Sequence, residues 1–284
     1  MILRAGLAVA VVSTAVVAPP QNPPFSAKVE MVRVDVLVTE NGQPVRGLNP
    51  ADFELLDDGV TQQVELVSFD QIPLNAILAL DMSDSVAGDR LDHLRNAGRA
   101  VLDQLKAEDQ GALVTFHHAL GLGSDLTHDL KRVRSALDAA DASGDTALVD
   151  GAYAAIMLAE SDVGRALLLI FSDGVDTSSW LSADAVLDTA KRSDVVVYSV
   201  AVRGGTTPRF LRDLSAFSGG SLFEIESTQN LNALFVRILE EFRHRYLVSY
   251  TPRNVSKNGW HRLEVRVKGR KVTVKARPGY LAGS

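Results

Sequence analysis

Side chains that offer oxygen atoms stand at three separated points of this sequence of 284 residues. Asp-Met-Ser-Asp-Ser at 81–85 follows an apolar run, Gly-Asp-Thr-Ala begins at 144, and Phe-Ser-Asp-Gly begins at 171. Carboxylate and hydroxyl oxygens suit a hard divalent cation such as Mg²⁺, Mn²⁺ or Ca²⁺. Because few of these groups are carboxylates, a bound ion would keep a net positive charge and an open position for a carboxylate from another molecule. The candidate ligands are Asp81, Ser83, Ser85, Thr146 and Asp173.

Each of these residues also has a purely structural alternative. A serine at 83 or 85 could cap the helix that follows, and Thr146 could cap its own helix. Asp173 could order the Ser-Asp-Gly turn. Such roles are favoured for any one residue alone, because these are the preferred residue types at caps and turns. The joint occurrence of all five residues at three loops of the sequence favours the cation site.

The apolar pattern between residues 72 and 245 predicts the elements that position these side chains. Largely apolar runs, as at 74–80 and 166–171, alternate with stretches such as 89–106, where apolar residues recur at helical spacing. This alternation is typical of an α/β fold with an open, doubly wound, mostly parallel sheet and helices on both faces. Ligands of such sheets bind at the carboxyl ends of the strands.

The candidate ligands stand where this sheet would place a site. Asp81 and Asp173 follow predicted strands, and Thr146 begins a predicted helix, so three loops can converge. His117 and His118 end the strand expected beside the first one, and they could line the rim. A surface or packing role is favoured for these histidines, since an oxygen site needs no nitrogen ligand.

Short alternating strands flank the α/β region on both sides. Residues 29–39 alternate valines with mostly polar side chains, and the chain returns to alternating strands after residue 246. Because the termini of compact domains often lie close together, the two β parts are expected to meet in a small β-sandwich with the α/β domain inserted. The predicted layout is a signal peptide at 1–20, β segments at 25–71 and 246–284, and the α/β domain at 72–245.

The first twenty residues have the composition of a secretory signal peptide. Arg4 precedes an almost wholly apolar stretch from Ala5 to Ala18, and small residues lead into two prolines. The stretch is short for a membrane span, although an uncleaved anchor stays open as the alternative. The expected location is therefore secreted, periplasmic or in the cell envelope.

Composition limits the remaining partners. The formal net charge of −6 argues against a general nucleic-acid binder, because neutralising phosphates requires a basic face. The absence of cysteine excludes disulfides and thiolate metal sites. Residues 253–277 hold nine lysines or arginines against one acid. The favoured interpretation is a solvated face of edge strands, and the alternative is a contact with an acidic partner or envelope polymer.

Taken together, the stretches at 81–85 and 172–174 and Thr146 resemble the metal-ion-dependent adhesion site of von Willebrand factor type A domains. The similarity covers about residues 72–245. It implies that the five candidate residues hold a divalent cation, Mg²⁺ or else Mn²⁺ or Ca²⁺, and that a protein ligand supplies an acidic side chain. The flanking sequences are similar to a bacterial, often acidobacterial, subgroup of secreted proteins. The resemblance therefore implies a secreted protein-binding or adhesion module.

Two other classes of protein stay open. Phosphoryl-transfer folds also place an aspartate after the first strand, but they usually place a second acid where this chain has Ser83. The sequence has no GxxxxGK[ST] phosphate loop and no GxSxG nucleophile elbow, and the candidate ligands include no activating base. A magnesium-dependent hydrolase is thus the less favoured alternative, as is a structural envelope protein with a vestigial site. We expect no enzymatic activity.

Overall fold

A computed structural model describes residues 31–69, 72–160, 164–172, 175–203 and 209–283. The predicted signal peptide at 1–20 and the candidate ligand Asp173 lie outside the described residues. The described residues form strands β1 (Val32–Glu40), β2 (Gln43–Pro44), β3 (Phe53–Asp57), β4 (Val60–Gln62), β5 (Val64–Phe69), β6 (Leu74–Asp81), β7 (Gln110–Phe116), β8 (Leu120–Thr127), β9 (Arg165–Ser172), β10 (Val196–Val202), β11 (Ser221–Ile225), β12 (Arg245–Tyr250), β13 (Gly259–Val267), β14 (Thr273–Lys275) and β15 (Gly279–Ala282). They also form helices α1 (Asp89–Gln104), α2 (Leu130–Ala139), α3 (Leu148–Ala159), α4 (Ala183–Arg192), α5 (Arg209–Phe217) and α6 (Leu231–Arg243).

A six-stranded sheet in the order β11-β10-β9-β6-β7-β8 occupies the centre of the α/β region. Neighbouring strands run parallel except for β8, which pairs antiparallel with β7 at one edge. Strands β6 and β9 are buried along their whole length, which is why their sequences are mostly apolar. The doubly wound, mostly parallel sheet predicted from the sequence is confirmed.

Helices cover both faces of this sheet. Leu78 and Leu80 of β6 pack with α1, α2 and α6, whereas Ile77 and Ala79 pack with α3, α4 and α5 on the opposite face. The alternation follows from the two-residue period of a strand. Strand β6 is therefore held between two apolar layers, and its last residue, Asp81, has a fixed position. None of the helices in the described ranges combines the length and apolar composition that a membrane crossing requires.

Strand β8 was not predicted from the sequence. It contains two glycines, and its Leu120 and Leu122 are exposed. Glycine weakens a strand pattern, so local sequence gives little sign of it. At Gly123 a Cβ atom would lie only 2.9 Å from the Leu113 side chain of β7, so a glycine lets the two strands approach. The strand forms because it pairs with the edge of β7.

Antiparallel sheets combine strands from both ends of the described chain. One has the order β14-β1-β12-β5 with β2 beside β1, and the other has the order β15-β13-β3-β4. In the first sheet Val34 of β1 lies opposite Val248 of β12. Valine, leucine and aromatic side chains from both sheets form a third apolar core. The two predicted β parts thus pair with one another, while the bounds at 25–71, 72–245 and 246–284 stay a prediction.

Buried charged groups join the antiparallel sheets to the α/β part. Arg165 of β9 pairs with Asp35 of β1, with its Nε atom 2.9 Å from the Asp35 Oδ1 atom. Arg245 is fully buried and donates to the Tyr198 hydroxyl at 2.7 Å and the Gly219 carbonyl at 2.8 Å. Buried charges are tolerated when they are paired and hydrogen-bonded. These contacts therefore fix the position of one part against the other.

The basic stretch at 253–277 contributes to the same contact. Arg277 is buried and donates to the carbonyls of Ser193 at 3.0 Å and Arg33 at 2.7 Å. Lys275 is half-buried, and burial followed by the charge of Arg245 lowers its pKa. The interpretation of the whole stretch as a solvated strand face is therefore wrong for Arg277. A charge pattern along a strand does not show where another layer covers it.

A buried polar cluster lies inside the antiparallel sheets. The hydroxyls of Tyr250 and Tyr280 donate to the Oδ2 atom of Asp57 at 2.8 and 3.0 Å. The Nδ1 atom of His261 lies 2.8 Å from the Oδ1 atom of the same carboxylate. All four side chains are buried. The carboxylate can stay in the interior because partners surround it.

Stability is expected to fall as the pH rises above about 10, the ordinary pKa of tyrosine. Burial is the largest cause that raises the pKa of Tyr198, Tyr250 and Tyr280. Above pH 10 the unfolded chain therefore binds fewer protons than the folded chain, so the free energy of unfolding decreases. The stabilising contribution is fully present below that pH and is lost above it.

Urea unfolding at several pH values between about 8 and 11 measures this slope. Tyr250→Phe is expected to make the slope shallower, because it removes one of the groups whose pKa is raised. Tyr153→Phe is the matched control, since Tyr153 is an exposed tyrosine of α3. Equal slopes in the wild type and Tyr250→Phe would contradict the expectation.

Candidate metal centre

Asp81 lies at the carboxyl end of β6, between β9 and β7 in the middle of the central sheet. Its side chain is fully buried. One carboxylate oxygen accepts the Ser83 backbone N–H at 2.9 Å, and the other accepts the Ser172 hydroxyl at 2.7 Å. The two bonds orient the carboxylate at the edge of the sheet where ligands bind in this class of fold.

The loop after β6 brings two hydroxyl groups together. The Oγ atoms of Ser83 and Ser85 lie 2.9 Å apart. Ser83 precedes a short 3₁₀ turn at Asp84–Val86, but its side chain makes no capping hydrogen bond there. The residue that caps α1 is Gly88. The capping alternative is therefore wrong for both serines, and their hydroxyls are turned toward each other.

Thr146 is buried at the second loop, which backbone bonds hold against the first. The Ser143 N–H donates to the Met82 carbonyl at 2.7 Å, and the Asp84 N–H donates to the Gly144 carbonyl at 2.9 Å. The N-terminal cap of α3 is residue 147 and has no side-chain bond, so the capping alternative is also wrong for Thr146. The structure therefore brings the loops of Asp81 and Thr146 together.

Gly144 makes this approach possible. Its φ angle is +73°, and a Cβ atom at this position would collide with the Nδ1 atom of His118. His117 stands next to it, with its Nδ1 atom 2.8 Å from that of His118. Burial, followed by the charge of His118, lowers the pKa of His117. The two histidines thus lie beside the second loop, and the φ angle at position 144 favours glycine.

A third loop, residues 175–182, follows β9 and holds Thr146 from the other side. The Thr177 and Ser178 N–H groups donate to the Thr146 carbonyl at 2.9 and 3.2 Å, and the Thr146 N–H donates to the Thr177 hydroxyl at 3.0 Å. Asp173, the candidate ligand of this loop, lies outside the described residues. Its neighbour in the chain, Ser172, contacts Asp81.

The loop 175–182 is also fixed to α3. The Asp176 carboxylate accepts the Val149 N–H at 3.2 Å, near the start of the helix. The Asp150 carboxylate accepts the N–H groups of Trp180 and Leu181, both at 2.9 Å. Asp150 is buried although it stands in the first turn of α3. Sequence reasoning missed this residue, because an acid in the first turn of a helix has an ordinary explanation in the helix dipole.

The described candidate residues fit a small divalent cation. Oxygen ligands of Mg²⁺ at about 2.1 Å in an octahedron lie roughly 3 Å apart along an edge. The Ser83 and Ser85 hydroxyls, which are 2.9 Å apart as hydrogen-bonded partners, are compatible with this spacing. With Asp81 as the carboxylate, the set consists of oxygen donors alone, which suits hard cations. The arrangement offers oxygen donors of the kind that hold a hard divalent cation.

A second group of potential ligands was not found from the sequence. Asp57, Asp58 and His261 each have one ligand atom within 4.8 Å of the others. The two aspartates and His261 are about 200 residues apart in sequence, and they come together only through the pairing of β3 with β13. The sequence alone therefore gives no sign of the group. The Asp57 oxygens already accept hydrogen bonds from Tyr250 and Tyr280 and contact His261, so a structural network explains the group.

The family model for the von Willebrand factor type A domain matches residues 75–237. Among curated proteins, inter-alpha-trypsin inhibitor heavy chain H2 of Sus scrofa is 25% identical over 179 residues. The match covers 57% of this chain and 19% of that protein, so the chain spans about a fifth of this relative.

Two solved structures share the fold. A von Willebrand factor type A protein from Catenulispora acidiphila has a TM-score of 0.54 at 13% identity, covering 86% of this chain and 76% of that chain. Proximal thread matrix protein 1 from the mussel byssus, with zinc in its MIDAS motif, has a TM-score of 0.56 at 15% identity. That match covers 66% of this chain and 49% of the other.

At these identities, the structural likeness concerns the fold alone. The narrower similarity to an acidobacterial subgroup stays a prediction. The family model, however, spans more than half of the sequence and coincides with the central sheet and its helices. The chain therefore belongs to the von Willebrand factor type A domain family.

Proposed function

We propose that this protein is a metal-dependent protein-binding module. A divalent cation held by the five candidate ligands would complete its coordination with a carboxylate of a partner protein. The observation that carries the proposal is the pair of Ser83 and Ser85 hydroxyls, 2.9 Å apart beside the buried Asp81 carboxylate and unused as caps. Type A domains are interaction modules that often depend on a metal, which agrees with this role. The proposed ligands are Asp81, Ser83, Ser85, Thr146 and Asp173.

Mg²⁺ or Mn²⁺ is the proposed ion, because the ligand set contains only oxygen. Proximal thread matrix protein 1 from the mussel byssus holds zinc in its metal-ion-dependent adhesion site (MIDAS) motif. Zn²⁺ is therefore the ion whose affinity should be compared with those of Mg²⁺ and Mn²⁺. We further propose that the module is not an enzyme, because the ligand set has no basic group to activate a nucleophile. The cation would serve to hold the partner's carboxylate.

The proposed location is outside the cytoplasm, as a secreted, periplasmic or envelope-associated protein. The support is the composition of residues 1–20, which lie outside the described part of the structure. Proximal thread matrix protein 1, which shares the fold, comes from the mussel byssus. A cell-adhesion role would follow if the partner is a surface protein.

Selection of phage-displayed random peptides on the full chain tests this function. We expect peptides selected in Mg²⁺ to contain aspartate or glutamate and to be released by EDTA. Replacing that acid by its amide should abolish binding, because a neutral oxygen is a weaker ligand for a hard cation. Peptides that bind equally in EDTA, or without any acid, would contradict the proposal. Calorimetric titration with Mg²⁺, Mn²⁺, Ca²⁺ and Zn²⁺ identifies the preferred ion.

A further inference from the structure

Exposed apolar side chains lie next to the candidate metal centre. The Trp180 side chain is 95% exposed, and Leu181, Tyr153 and Met157 are 40%, 37% and 43% exposed. Burying an indole removes about 150–250 Å² from water, so an indole left almost wholly in solvent is informative. We call these four residues the apolar strip.

The strip is continuous from the loop 175–182 onto α3. Asp150, Tyr153 and Met157 stand at positions i, i+3 and i+7 of the helix and therefore share one face. The Asp150 carboxylate accepts the N–H groups of Trp180 and Leu181, so the loop lies over the first turn of that face. The strip thus starts at the loop and runs along the helix.

The backbone that carries Trp180 is fixed before any partner binds. Besides the two bonds to Asp150, the Ser179 hydroxyl accepts the N–H groups of Val149 and Asp150 at 3.0 and 3.1 Å. A side chain held on a fixed backbone loses less entropy on binding than one on a mobile loop. Fixed, exposed aromatic residues are typical of the side chains that dominate protein interfaces.

The strip also lies close to the proposed cation. Ser178, two residues before Trp180, donates its N–H to the carbonyl of Thr146 at 3.2 Å. Because an extended chain advances at most about 3.6 Å per residue, the Trp180 Cα atom lies within roughly 12 Å of the Thr146 carbonyl. An extended peptide spans this distance in about three residues. One short segment could therefore reach both places.

The chemistry of the strip specifies what can cover it. Helix α3 contains one charged residue, Asp150, and loop N–H groups occupy its two carboxylate oxygens. The exposed face of α3 beyond it presents Tyr153 and Met157 and no charge. Between Trp180 and Met157 the strip is therefore matched by apolar, uncharged side chains of an occupant that places a carboxylate at the cation. The exposed Glu160 at the end of α3 marks the far end of the strip.

We propose that the partner segment carries an acidic residue followed within two or three positions by apolar side chains, which pack on the apolar strip with Trp180 as the main contact. This inference rests on the proposed function, since the carboxylate end of the segment needs the cation. It adds the partner's apolar flank as the source of specificity. Burial of Trp180 would supply binding energy that a cation–carboxylate contact alone lacks.

The test uses the full chain with Trp260→Phe, which leaves Trp180 as the sole tryptophan of a sequence that contains two. Three synthetic peptides serve as probes. The first has aspartate followed by leucine and phenylalanine two and three residues later. The second has serines at those two places, and the third is the first with asparagine in place of the aspartate.

In Mg²⁺ the first peptide is expected to shift the Trp180 emission to shorter wavelength and to bind at least about 10-fold more tightly than the serine peptide. In the natural Trp260 background, Trp180→Ala should weaken calorimetric binding of the first peptide by roughly 30-fold. The same substitution should leave Mg²⁺ binding unchanged. Leu66→Ala, which removes an exposed apolar side chain of β5, is the matched control and should change neither affinity.

Several outcomes would overturn the inference. Equal affinities for the apolar and serine peptides, both lost in EDTA, would remove the strip as a partner surface and leave the cation site standing. Binding of the apolar peptide that survives both EDTA and the asparagine replacement would contradict the proposed function and this inference together. An emission shift from raised protein concentration alone, or from phosphatidylcholine vesicles, would assign the strip to self-association or lipid. The absence of any shift of the Trp180 emission with the first peptide would also count against the inference.

Discussion

Replacing Asp81 by alanine is expected to abolish measurable Mg²⁺ and Mn²⁺ binding. Asp81 is the carboxylate at the centre of the site, and Ser83 and Ser172 orient both of its oxygens. Without it, Asp173 would be the only carboxylate left among the proposed ligands to compensate the charge of the ion. Losing an outer-shell partner alone typically reduces metal affinity by about 10–100-fold, so the loss of a direct charged ligand should exceed about 100-fold. Isothermal titration calorimetry of the wild type and the variant measures the change.

The matched control is Asp84→Ala, which removes a carboxylate from the same loop. Asp84 is exposed, and its bond to the Gly144 carbonyl uses the backbone N–H, which alanine keeps. Cation affinity in this variant should stay within a few-fold of the wild type. Circular dichroism shows whether Asp81→Ala is folded. Equal affinities of the folded Asp81→Ala protein and the wild type would refute the site.

Replacing Asp35 by alanine is expected to lower the free energy of unfolding by about 3–5 kcal/mol. Only 6% of the Asp35 side chain and 3% of the Arg165 side chain are exposed. The substitution would leave the Arg165 guanidinium buried; among the described residues, its remaining contacts would include the Phe242 ring at 4.8 Å and the Phe242 carbonyl at 3.4 Å. Neither carries a compensating negative charge. Urea unfolding followed by circular dichroism measures the loss.

An exposed ion pair provides the control for this prediction. Arg203 and Glu226 form a pair whose side chains are 59% and 73% exposed, so Glu226→Ala should change stability by less than about 1 kcal/mol. The double variant Asp35→Leu, Arg165→Met should lose less stability than Asp35→Ala, because it removes both charges. A loss in Asp35→Ala no larger than in Glu226→Ala would show that the buried pair is not important for stability.

Much of the α/β part could be predicted from local sequence. Strands β6 and β9 are mostly apolar because helices cover both of their faces, and α1 shows the spacing of a helix with one buried side. Strand β8 was missed because its two glycines interrupt the alternation typical of a strand. They allow β8 to approach β7, which is a tertiary contact. The hydrogen-bonding roles of Ser83 and Thr146 could not be decided either, since each residue type is equally suited to a cap.

The sequence by itself determined the alternation of strands and helices and the oxygen chemistry of the candidate ligands. It also determined that Asp81 stands at the end of a strand and Thr146 near the start of a helix. Periodicity and residue type suffice for these features because they depend on neighbours along the chain. The tertiary structure alone decided that Asp150 fixes the loop 175–182, that Trp180 stays in solvent beside the site, and that Asp35 meets Arg165. The last pair lies 130 residues apart in sequence. Contacts of this kind depend on how packed layers bring distant segments together, and no local pattern specifies them.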